Sequence, residues 1–113
     1  MKLNLLIFVL LLLAPQVHAK HPKCDGPENW PASMAHATLK NSKIIDNDKF
    51  NFSKTKVSRI ASEKIGKNLY KQVHFVKFYE KKGQELSVIT VSDSSNEECS
   101  MGKVQVYVIS SEH

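Results

Sequence analysis

Three apolar runs in the second half of the chain limit what it can fold into. Tyr70-Lys71-Gln72-Val73-His74-Phe75-Val76-Lys77-Phe78-Tyr79 is dense in β-branched and aromatic residues, and so is Leu86-Ser87-Val88-Ile89-Thr90-Val91. Lys81-Lys82-Gly83-Gln84 joins them, a short connector with a glycine where a positive φ is needed, so the pair reads as a hairpin. Val104-Gln105-Val106-Tyr107-Val108-Ile109 alternates cleanly and reads as a third strand. The pattern predicts an antiparallel meander.

Thr55 to Ile65 fits two periods. Val57, Ile60, Ala61 and Ile65 lie on one face of a helix. With period two, Val57, Ala61 and Ile65 share one face of a strand, with Arg59 and Glu63 between them. The strand is preferred, because Ile65-Gly66-Lys67-Asn68 then turns into the Tyr70 run and a hairpin supplies the neighbour that run needs. Tyr70–Tyr79 is apolar on both faces: Val73, Phe75 and Tyr79 on one, His74, Val76 and Phe78 on the other. A strand of that kind is central or covered.

The start of the chain sets the compartment. Met1-Lys2 is followed by an almost wholly apolar stretch from Leu3 to Ala14, and Val17-His18-Ala19 offers small residues at a cleavage site. Residues 1–19 read as a signal peptide cut near Ala19, and 20–113 as one small exported domain. The apolar stretch is too short to span a bilayer, so no membrane anchor is expected. The product is periplasmic in a Gram-negative source and secreted otherwise.

A chain of this size buries a modest fraction of its surface, and a covalent link would help it. Cys24 and Cys99 are the only two cysteines, so one pairing is possible, and an oxidising compartment lets it persist. The bridge would tie the N-terminal arm to the loop before the last strand. Closing that loop stabilises by about 4 kcal/mol in the chain-entropy view.

Between the leader and the sheet the chain is less regular. Lys20 to Pro31 holds three prolines and Gly26 and reads as a loop. Trp30 is the sole tryptophan, a lid over the core edge or a partner contact. Pro31 to Leu39 reads as a short helix, with proline at its first position. Asp46-Asn47-Asp48 resembles the start of a calcium loop, but Phe50 stands where an oxygen ligand is required, so it reads as a turn. Asn51-Phe52-Ser53 matches a glycosylation triplet. Ser92 to Gly102 reads as a polar loop carrying Asp93, Glu97 and Glu98, with Cys99 as its anchor.

Chemistry-bearing residues form no assembled set in the sequence. The chain carries 16 Lys and Arg against 11 Asp and Glu, formally +5. The lysines are scattered rather than clustered, which reads as a solvated surface and not as a nucleic-acid footprint. His36 and His74, with Lys71 or Lys77, contain the parts of a ribonuclease-like acid–base pair, though nothing in their spacing brings them together. His21 and Cys24 could open a metal site, but no second ligand pair follows at zinc spacing. No glycine-rich phosphate loop and no nucleophile elbow is present.

The reading is therefore α+β, mainly β: a meander of three to four strands, a short N-terminal helix and one Cys24–Cys99 disulfide. Export, a cross-linked scaffold and the missing catalytic set point to a non-enzymatic binding protein for a protein partner, of the inhibitor or toxin-immunity kind, with no cofactor. The alternatives are a small basic ribonuclease-like phosphodiesterase and a metal or small-ligand carrier. Candidate contact residues are Trp30, Asp93, Glu97, Glu98 and Met101, or an exposed sheet edge, since a rigid scaffold lets loops carry recognition.

Overall fold

The alternation from Lys56 onward becomes one sheet. The computed structural model describes residues 20–111; the predicted signal peptide and its predicted cleavage near Ala19 lie outside the described residues. A helix, α1 (Trp30–Asn41), and a single 3-10 turn (Phe52–Lys54) precede four strands: β1 (Lys56–Gly66), β2 (Leu69–Tyr79), β3 (Glu85–Ser94) and β4 (Gln105–Ser111). All neighbours pair antiparallel, in the order β1-β2-β3-β4. The fold is α+β, mainly β, as the alternation predicts. No described helix is long and apolar enough to cross a membrane.

Each connection has a local cause. Gly66 pairs with Leu69 around a two-residue turn, in which Asn68 takes the left-handed conformation (φ 50°) that asparagine tolerates better than most residues. The β2–β3 turn needs φ 95° at Gly83, where a side chain would be strained. Helix α1 starts with Pro31 in its first turn, where a missing N–H costs nothing. It runs to Asn41, two residues past the predicted end.

The helix covers one half of one sheet face. Ala32, Ala35 and Leu39 pack with Val76, Phe78, Leu86 and Val88, and the loop after the helix adds Ile45 and Phe50. Ile45 plugs this core while Ile44 faces solvent. Phe50 is held by a bridge to Glu80 and by Asn51 N–H donating to the Tyr79 carbonyl. Asp46–Lys49 is a turn, closed by the Asp48 N–H on the Asp46 carboxylate at 3.0 Å.

Two expectations change. The predicted strand forms, over Lys56–Gly66, but Val57, Ala61 and Ile65 do not share a face. Val57 pairs with Val76 and Arg59 with His74, whereas Ala61 pairs with Val73; Ile60 is the extra residue of a bulge, which moves the alternation to the other side. The polar loop predicted over Ser92–Gly102 starts later, because β3 continues through Ser92, Asp93 and Ser94.

Candidate binding surface

The disulfide forms as predicted, with Cys24 and Cys99 75 residues apart in sequence and 5.7 Å apart at Cα. It anchors the arm of residues 20–25 across the half of the sheet that α1 does not reach. The Pro22 carbonyl accepts from Gln72 Nε2 at 2.9 Å and from Arg59 Nη1 at 3.0 Å. His21 Nδ1 lies 2.6 Å from Ser62 Oγ, and the His21 ring tilts against Tyr70 at 4.8 Å. Gln72 Nε2 also reaches Ser62 Oγ at 3.0 Å.

Beneath this strap the sheet interior is polar. Gln72, His74, Thr90, Ser92 and Ser94 are buried, and several of their side-chain atoms lack a protein partner, among them Gln72 Oε1, both ring nitrogens of His74 and Thr90 Oγ1. Burial holds the His74 pKa below its ordinary 6.5; the Asp25 carboxylate works against that shift and the Arg59 guanidinium adds to it.

His36 and His74 do not converge. His36 sits on α1 against Phe52, ring centres 3.9 Å apart, and near Phe78, with Nε2 3.0 Å from Asn47 Oδ1. His74 is four residues from Phe78 along β2, a span of about 13 Å at strand rise. Lys71 and Lys77 point to the opposite face, where Lys71 pairs with Asp93 and Lys77 with Glu85, each at 3.3 Å. Among the described residues, no group of three His, Cys, Asp or Glu is placed to hold a metal ion.

The loop residues singled out in the sequence are dispersed. Trp30 is half-buried, and its Nε1–H donates to the Gly102 carbonyl at 3.0 Å, joining the start of α1 to the segment before β4. Asp93 lies on β3 and is half-buried in its pair with Lys71. Asn68 donates to the Glu97 carboxylate, and Glu98 accepts from Ser100 Oγ at 2.7 Å. Ser95 Oγ accepts from the Glu97 and Glu98 N–H groups, so the loop is folded on itself. Met101 is exposed. Each of the three carboxylates thus has a partner within the chain.

What sequence reasoning passed over is the sheet face turned away from α1. Phe75, Ile89 and Tyr107 stand in one cross-strand row, and Val73, Val91 and Gln105 in the next. Neither the helix nor the arm packs on them, and while Tyr107 is exposed, Val73, Phe75, Ile89 and Val91 are half-buried among their neighbours. Glu63 pairs across from Lys71, so charged residues bound this apolar centre at one end, and Lys77 with Glu85 bounds it at the other. The signal was present in the β2 run, whose two faces are both apolar when a small domain with one helix can cover only one of them.

No protein-family model, curated protein or solved structure gives a significant match to this chain.

Proposed function

We propose that this is an exported, non-enzymatic binding protein that engages a protein partner through the uncovered sheet face. The observation that carries the reading is the apolar centre of Val73, Phe75, Ile89, Val91 and Tyr107, rimmed by the Lys71–Asp93 and Lys77–Glu85 ion pairs. Antiparallel sheets commonly leave one face in water, and that face is then polar. A contiguous apolar patch with a polar rim instead has the layout of a protein interface. A cross-linked four-stranded sheet presents it as a rigid plane, so little ordering entropy is lost on contact. An inhibitor or an immunity factor against a toxin would use such a plane, and export would place it beside its target.

The test is recovery of a stoichiometric complex from native exported fractions. Phe75→Lys and Ile89→Lys should each abolish it while circular dichroism and the thermal midpoint stay near wild type. Glu97→Lys, on the self-bonded loop, should leave it intact. Loss with Glu97→Lys and retention with Phe75→Lys would move the contact to the loop, and the open-face reading would fall.

A further inference from the structure

We infer that β4 is a self-pairing edge, joining two copies of this chain into one continuous eight-stranded antiparallel sheet. The two edges of the sheet differ. Strand β1 carries Lys56, Arg59, Glu63 and Lys64, and its pairing is broken by bulges at Ile60 and Ile65. Charges and bulges are the means by which sheet edges avoid further pairing. Strand β4 also bulges, at Ile109, but it has neither charge nor proline, and it is the only strand of the four without a charged residue. Tyr107, Val108 and Ile109 are 51%, 46% and 49% exposed. Every second residue of such an edge turns its N–H and C=O outward, and among the described residues no strand lies there.

The occupant follows from symmetry and charge. Val106-Tyr107-Val108 reads the same in both directions. An antiparallel pair centred on Tyr107 therefore sets Val106 opposite Val108 of the second copy on the helix side. On the open side it sets Tyr107 opposite itself, and the regular register ends at the Ile109 bulge. Aromatic and β-branched cross-strand pairs of this kind stabilise a sheet. Each protomer is basic. Joining along β4 sends the cationic β1 edges to the two outer margins, so the pairing brings no lysine against lysine. The two open faces become one surface, which enlarges the plane proposed above without depending on it.

The experiment uses the full domain with its disulfide intact. Sedimentation velocity over about 10 µM to 1 mM covers the affinity range of a small two-strand interface. A concentration-dependent dimer is expected, weakened about tenfold or more by Val108→Lys, which lies off the open face. Phe75→Lys, which tests partner binding, should leave the dimer unchanged. Tyr107→Cys should give an oxidised dimer bridged through position 107 of both copies, and Ser58→Cys, exposed on the β1 edge, should not. This second arm decides the matter if Val108→Lys fails to fold. A monomer at every concentration, a dimer indifferent to Val108→Lys, or cross-linking at Ser58→Cys in place of Tyr107→Cys would overturn the proposal. So would a β4 edge filled only by a segment of another protein.

Discussion

One side of the sheet is closed in two different ways. At the β2–β3 turn, Val76, Phe78, Leu86 and Val88 meet α1, and the contact is apolar throughout. At the opposite end of the same strands, Tyr70, Gln72, His74, Thr90, Ser92 and Ser94 are buried, and the arm is tied there by Gln72 and Arg59 donating to the Pro22 carbonyl and by the Cys24–Cys99 link. The first end is held by area removed from water. The second buries polar groups without full compensation, which costs free energy rather than supplying it. A small domain with one helix can cover only half of its sheet with apolar surface, and the disulfide stands in for the missing layer.

The comparison breaks most directly at the bridge. Replacing Cys24 and Cys99 with serine should cost about 4 kcal/mol and lower the melting temperature by roughly 20 °C. The damage should be local: amide exchange should rise around Tyr70, Gln72 and Ser94 before it rises around Phe78 and Leu86. A loss below about 1 kcal/mol would mean that the bonds to the Pro22 carbonyl hold the arm unaided. At the apolar end, Leu39→Ala should cost about 3 kcal/mol through lost burial and a residual cavity. It should leave protection beneath the strap as it is, relative to the new global stability.

How much of this could be read in the sequence divides along the same line. The strands, the hairpin glycine and the pairing of the cysteines follow from alternation, turn chemistry and counting. The direction of the faces does not. In β3, Ser92 and Ser94 read as loop, and nothing in Leu86–Val91 marks which side faces the core. The structure buries Thr90, Ser92 and Ser94 and leaves Ile89 and Val91 half-buried on the other face. The inside is chosen by Leu86 and Val88 docking on the helix, and period two then forces the rest of the strand to follow. The bulge at Ile60 was equally hidden, because one extra residue leaves no mark in composition. The open face escaped for the same reason as the polar interior: polarity alone assigns it to the core.

The finest test of the polar end is its response to pH. His74 is fully buried, and burial holds its folded-state pKa below 6.5. The unfolded chain takes up this proton near 6.5 and the folded chain takes it up only at lower pH. Below that value the unfolded state binds more protons, so the contribution of neutral His74 is complete above about 6.5 and drains away as pH falls toward the folded pKa. His74→Leu removes the titration and two polar ring atoms that find no protein partner. Replacing an unpaired buried polar group with an apolar one of similar size is neutral or stabilising. Denaturant unfolding of both proteins at about pH 7.5, 6.5 and 5.5 should give a stability difference that grows in favour of His74→Leu as pH drops. If the difference is constant, the imidazole binds its proton in the folded state as it does in the unfolded chain, as a hydrated ring would. The arm would then be a loose cover over a wet interior, and the contrast between the two ends would be one of solvent access rather than of how a dry face is held.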